Sequence, residues 1–96
     1  MRRFRPAGYE WDEVKRRRTL AERDLDFGSI VQVFDGRPVV HVASPRMGED
    51  RVRSTFVDQG RLFTFVWLLV GDRRVRVISL RRAHVREERA YRQLFG

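Results

Sequence analysis

V-R-V-I-S-L-R-R-A-H-V-R-E-E-R-A-Y, Val75 to Tyr91, is the stretch whose reading decides the fold. Its first part alternates as a strand requires, with Val75, Val77 and Ser79 on one side and Arg76, Ile78 and Leu80 on the other. The period then changes. From Ala83 onward, Ala83, Glu87, Ala90, Tyr91 and Leu94 share one helical face, and Arg82, Arg86 and Arg89 share another. A strand therefore feeds a helix, with Ser79, Arg81 and Arg82 near the junction. Several guanidiniums at such a boundary suit a bound phosphate, because each planar fork donates two parallel hydrogen bonds. A solvated basic helix face accounts for the same pattern, and composition does not choose between the two.

Upstream of this segment, three more strands are expected. Val39 to Ala43 is a short apolar run broken by His41. Pro45 and Gly48 mark a loop over Ser44 to Asp50, with Arg46 exposed on it. Arg51 to Asp58 alternates Arg51, Arg53, Thr55 and Val57 against Val52, Ser54 and Phe56, giving one buried and one basic face. Leu62 to Val70 is apolar on both faces, as a central strand is. Gly71-Asp72 then reads as a two-residue hairpin leading into the strand Arg74 to Leu80.

The N-terminal third is helical by its caps. Met1 to Gly8 is a basic lead-in expected to be poorly ordered, and it lacks the apolar stretch of a secretory signal. Asp12 caps a surface helix from Glu13 to Glu22 or Arg23, supported by the i, i+4 pairs Asp12–Arg16 and Glu13–Arg17. Asp26 caps a second helix whose Phe27, Ile30, Val31 and Phe34 face the core, closed by Asp35-Gly36 and Pro38. The expected architecture is α+β in one domain: two N-terminal helices, a four-stranded antiparallel sheet and a C-terminal helix.

Charge narrows the function. The 96 residues carry 21 Lys and Arg against 13 Asp and Glu, a net +8 with a pI near 11.4. That surplus on a small domain calls for a polyanionic partner, either nucleic acid or an acidic protein that masks the surface. Lys15 is the sole lysine, and the arginine preference favours phosphate forks and base stacking. The chain has no cysteine, hence no disulfide framework and no thiolate metal site. No apolar run is long enough to span a bilayer, so a cytoplasmic protein without membrane contact is expected. Glycine-rich phosphate loops, nucleophile elbows and metal-ligand spacings are all missing from the sequence. His41 reads as a structural strand residue, and His84 stands near the arginines.

Metal-free RNA cleavage remains open to such a chain. The 2′-hydroxyl attacks the adjacent phosphate, which needs a base, an acid and positive charge on the phosphorane. Arg76, Arg81 and Arg82 could supply the charge, and Glu87, Glu88 and Tyr91 could carry protons. A surface pair of Glu88 with Arg92, a salt bridge from Glu87 and core packing of Tyr91 explain those residues equally well.

Tyr9-Glu10-Trp11-Asp12, Lys15, Asp26-Phe27, Val33-Phe34-Asp35, Gly60-Arg61-Leu62 and above all Arg76-Val77-Ile78-Ser79-Leu80-Arg81-Arg82-Ala83, followed by Glu87 and Tyr91, resemble the BrnT family of bacterial type II toxins. The resemblance implies a RelE-like fold and ribonuclease activity that arrests translation. It also implies neutralisation by a ribbon-helix-helix antitoxin, as a heterotetramer of two toxins and two antitoxins that reaches operator DNA only through the antitoxin. On that footing the expected catalytic set is Arg23, Arg76, Arg81, Arg82, Glu87 and Tyr91. The expected RNA contacts are Lys15, Arg51, Arg53, Ser79, His84 and Arg86, with no metal or cofactor. The family's usual Lys-His-Gly is Glu22-Arg23-Asp24 here, its usual asparagine is Thr19, and Leu68 and Leu69 stand where hydroxyl residues are common. An arginine stays protonated and is a poor acid or base. Two alternatives follow: a weakened relative that still binds its antitoxin and co-represses its operon, and a stand-alone RNA-binding module.

Overall fold

The structure, a computed structural model, describes residues 4–96. Five strands form one mixed sheet in the order β1-β5-β4-β3-β2. They are β1 (Gly8–Trp11), β2 (Val40–Ala43), β3 (Val52–Asp58), β4 (Arg61–Val70) and β5 (Arg74–Arg82). β2 to β5 form the expected antiparallel meander. β1, which periodicity did not reveal, adds at the far edge parallel to β5. The sheet therefore has five strands rather than four, and it is mixed rather than antiparallel.

Part of the N-terminal lead-in is structured. Phe4 packs with its ring centroid 5.5 Å from that of Phe34, and the Ala7 N–H donates to the Arg73 carbonyl at 2.7 Å. Residues 1–3 of the predicted disordered segment lie outside the described residues. Tight turns set the meander's registers. Gln59 and Gly60, with φ of 50° and 77°, link Asp58 to Arg61 as a two-residue hairpin whose positive φ values match the strand twist. The β4–β5 turn is one residue longer than expected: Val70 pairs with Arg74, and Arg73 closes the loop at φ 61°.

One helix lies on the surface. α1 (Glu13–Arg23) buries none of its residues, and Asp12 Oδ1 caps it by accepting from the Val14 and Lys15 amides. The Asp12 carboxylate is spent there. Arg16 pairs instead with Glu13 and Asp26. Asp12→Ala is expected to cost about 1 kcal/mol, the usual loss for a side-chain N-cap. Urea denaturation measures this, and an unchanged midpoint would show that the cap does not hold α1.

The second predicted helix is a 3₁₀ helix, Phe27–Gln32, capped by Asp26 Oδ1 on the Gly28 amide. Phe27, Ile30 and Val33 are buried at a spacing of three, while Val31 is 45% exposed. That period fits 3.0 residues per turn and explains why Val31 falls outside the core.

This 3₁₀ helix covers one sheet face, hereafter the core face. Phe56, Phe65, Trp67, Val75, Val77 and Leu80 point into it. On the opposite face, α2 (Val85–Phe95) covers only one end, burying Glu87 and Tyr91. Leu94, expected on the buried side of that helix, is 67% exposed. The rest of this second face is open.

The phase of β5 changes midway. Val66 pairs with Ser79 and Trp67 with Val77, so Ile78 is an extra residue, a β-bulge. Unbroken alternation would have put Ser79 with the valines and Leu80 with Arg76. The bulge instead turns Leu80 into the core and places Arg76, Ser79 and Arg81 together on the open face, with Arg82 on the core face.

Candidate active site on the open sheet face

Among the described residues, β5 has no strand partner on its β1 side beyond Val77, because β1 ends at Trp11. Two long side chains from α1 take the place of that strand. Lys15 Nζ donates to the Ile78 carbonyl at 2.8 Å, and Arg23 Nη1 donates to the Leu80 carbonyl at 3.0 Å. Lys15 and Arg23, read as an RNA contact and a catalytic residue, thus dock α1 on the sheet.

The centre of the site is Glu87. Its side chain is 7% exposed and accepts five hydrogen bonds. Arg81 donates twice, at 2.7 and 3.0 Å, as a bidentate fork. Arg53 Nη1 donates at 3.0 Å, Thr64 Oγ1 at 3.0 Å and the His84 amide at 2.8 Å. The last of these closes the first turn of α2, because Glu87 stands at the third position of that helix. Burial pushes the Glu87 carboxyl up, but the Arg81 fork, the His84 amide, the Thr64 hydroxyl and the Arg81 charge together hold it down at about 2. It is a fixed anion. A carboxylate of so low a basicity is a weak proton carrier at neutral pH.

The sequence separates Arg53 from Arg81, and the sheet brings them together. Thr55 pairs with Thr64 and Thr64 with Arg81, so residues of β3, β4 and β5 lie side by side on this face. Arg53 and Arg81 are each partly exposed, with 28% and 23% of the side chain accessible. Glu87 occupies one Nη of Arg53, and among the described residues no hydrogen bond engages its Nε or other Nη. Two guanidiniums held by a shared carboxylate, with donors still free, can grip an anion that bridges them.

The other predicted residues divide. Ser79 is half-buried on the same face, between Arg76 and Arg81. Arg76 is at the far end, where its Nη1 pairs with Glu10 Oε2 at 3.0 Å, and Arg74 takes the other oxygen of that carboxylate at 2.9 Å. Arg82, expected beside Arg81, points to the core face with its guanidinium 5.7 Å from the Phe63 ring centroid. The predicted trio Arg76, Arg81 and Arg82 is thus not one cluster: Arg76 is held by Glu10 at the far end of the open face, and strand alternation turns Arg82 to the core face. Arg51 is tied to Glu49 at 2.7 Å. Tyr91 is 7% exposed, its ring centroid 5.1 Å from that of Phe95. His84 caps α2 with an exposed imidazole, Nδ1 4.0 Å from Glu87 Oε1, and Arg86 is exposed two residues further on. Leu68 is half-buried on the open face and Leu69 is 49% exposed.

His41 belongs to a separate network on the core face. Trp67 Nε1 donates to Ser54 Oγ at 2.8 Å, so the Ser54 hydroxyl is free to donate to His41 Nδ1 at 2.6 Å. Burial pushes the imidazole's pKa down, which favours the neutral ring this arrangement requires. Among the described residues, no three His, Asp or Glu side chains cluster as metal ligands would. No helix among them is long and apolar enough to cross a membrane.

These features define a small α+β protein whose open sheet face carries a carboxylate-anchored arginine pair suited to phosphate. A family model described as the ribonuclease toxin BrnT of type II toxin-antitoxin systems matches residues 11–87, and the chain belongs to that family. It is thus a ribonuclease toxin of a type II module, with an antitoxin as partner. The chain is also similar to the ribonuclease toxin BrnT of Brucella abortus, seen in a 1.1 Å crystal structure, with 26% identity and a TM-score of 0.62. That match covers 80% of this chain and 96% of the Brucella one. Comparison with curated proteins found no match.

Proposed function

We propose that this toxin is a metal-independent endoribonuclease whose substrate phosphate binds between Arg53 and Arg81. The observation that carries the reading is Glu87, a buried carboxylate that holds both guanidiniums on one open face. In this reading the 2′-hydroxyl attacks the neighbouring phosphorus and the 5′-oxygen leaves. The two arginines, fixed beforehand, stabilise the charge of the phosphorane without reorganising. Glu87 positions them and moves no proton. His84, an imidazole beside the pair, carries the proton between the attacking and leaving oxygens. Ser79 and Arg86 contact the flanking RNA.

Arg23 needs no proton chemistry in this scheme. An arginine donating to the Leu80 carbonyl supports α1, so the absence of the family's usual histidine does not disable the centre proposed here. The family's RelE-like fold and a ribbon-helix-helix antitoxin, as two toxins with two antitoxins, complete the proposal. Operator DNA is reached through the antitoxin, and the site of action is the cytoplasm.

The test is cleavage of RNA by purified protein in EDTA, with and without the antitoxin encoded beside it. Cleavage in chelator that the antitoxin suppresses is the expected result. Cleavage that stops on chelation and returns with a divalent ion would sink the metal-free mechanism. A folded protein that binds antitoxin but never cleaves RNA would favour the weakened relative. In the same assay His84→Ala is expected to be slow, and an unchanged rate would remove the imidazole from proton transfer.

A further inference from the structure

β2 is an outer strand of the sheet. The Ser44 N–H donates to the Arg51 carbonyl at 2.8 Å, which fixes the hydrogen-bonding phase of the β2–β3 pair. Because bonded and non-bonded pairs alternate, Val40 and Val42 bond to β3, while the N–H and C=O groups of His41 and Ala43 point outward. An outer edge of this kind is a template for another strand.

Two cavities straddle that edge, one on each face. On the core face, Phe4, Phe34, His41 and Trp67 line an aromatic pocket of about 310 Å³. On the open face, Val40, Val42, Ala90, Arg53 and Arg86 line a smaller groove of about 90 Å³ between β2 and α2. Val42 is 42% exposed beside it. An added strand presents successive side chains to opposite faces, so one such strand would fill both cavities at once. β1, the other outer strand, borders the ion-paired Glu10, Arg74 and Arg76 instead.

We infer that the antitoxin neutralises this toxin by adding an extended acidic segment to the β2 edge, with an aromatic or aliphatic side chain in the core-face pocket and a carboxylate on Arg53 and Arg86. The inference rests on the reading of Arg53 and Arg81 as the phosphate site. Charge selects the occupant: Arg53 and Arg86 line the groove beside a single carboxylate, Glu87, which already accepts five hydrogen bonds of its own, and the chain carries a net +8. Continuity explains inhibition, because Arg53 belongs both to the groove and to the Glu87 cluster. A carboxylate on its free N–H groups would take the place of the substrate phosphate.

Ala43→Pro isolates the proposal. It removes an outward N–H and leaves the β2–β3 bonds in place, and outer strands tolerate proline at such positions. The variant is expected to bind the purified antitoxin roughly tenfold more weakly or worse, and to cleave RNA at the wild-type rate. Hydrogen exchange on the wild-type complex is the second measurement, with the His41 and Ala43 amides expected to become protected. Wild-type affinity for Ala43→Pro, or unprotected amides in the complex, would overturn the inference while leaving the ribonuclease site intact. So would loss of RNA cleavage alone, which would assign the edge to substrate. Concentration-dependent self-association of the wild type that the proline abolishes would assign it to a second copy of this chain. If RNA cleavage never depends on Arg53 and Arg81, the phosphate site is wrong even where the strand adds.

Discussion

Arg81→Ala is expected to slow RNA cleavage about 10²- to 10³-fold, the usual loss when one preorganised donor to a developing oxyanion is removed. The protein should remain folded. Glu87 would keep its hydrogen bonds from Arg53, Thr64 and the His84 amide, so the stability cost is about 1–3 kcal/mol. Arg81→Lys should not restore the rate. An ammonium carries the charge but not the planar fork that binds Glu87 through two nitrogens and keeps further N–H groups for phosphate. Cleavage assays on variants whose circular dichroism and melting cooperativity match the wild type decide the matter. Unimpaired cleavage by a folded Arg81→Ala protein would remove this arginine from the mechanism. Arg82→Ala provides the internal contrast. Its guanidinium lies over Phe63 on the other face, so its effect on rate should be small.

Changing Glu87 should act on stability and activity together. Glu87→Ala removes the anion from a buried site and leaves two arginines facing each other, a defect that costs about 3–5 kcal/mol. That is a large share of the roughly 5–15 kcal/mol available to a domain of this size. Glu87→Gln keeps the shape and is the better probe of function. Its neutral amide cannot accept the Arg81 fork through two charged oxygens, so both arginines should lose their fixed positions and cleavage should fall.

The pH dependence gives a separate reading of the same group. The Glu87 carboxyl is held at about 2 in the folded protein, against 4.5 for the free group. A lowered folded pKa means that the unfolded chain binds the proton first. The contribution is therefore complete above about pH 5 and disappears as pH falls from about 4.5 to 2. Its size is about 3 kcal/mol by that linkage. Urea midpoints measured from neutral pH to pH 3 should fall more steeply for the wild type than for Glu87→Gln. Parallel curves would mean that Glu87 is not the acid-sensitive group.

Much of the fold is local in origin and so was legible in the sequence. The caps at Asp12 and Asp26, the alternation in β3 and the apolar run of β4 are short-range patterns. Where local patterns compete, the sequence was less informative. Phe27, Ile30 and Phe34 fit an α-helical spacing, yet the chain winds as a 3₁₀ helix because Ile30 and Val33 both reach the core. β1 is only four residues long, and its parallel partner lies more than sixty positions away, as the Arg74–Glu10 contact at a separation of 64 shows. No periodicity in Gly8–Trp11 announces that pairing.

For the site, the chemistry of the parts was determined by sequence alone: an arginine-rich, cysteine-free chain of net +8, the strand-to-helix segment from Val75 to Tyr91, and motifs that resemble one toxin family. Which arginines act together was decided only by tertiary structure. One extra residue at Ile78 reverses the phase of β5, so that Arg81 rather than Arg82 shares the open face with Arg76 and Leu80 enters the core. Register across β3, β4 and β5 then sets Arg53, Thr64 and Arg81 around Glu87, which lies 34 positions from Arg53 in the chain. A buried carboxylate must collect its partners from whatever strands pass beside it, and that neighbourhood follows from sheet register.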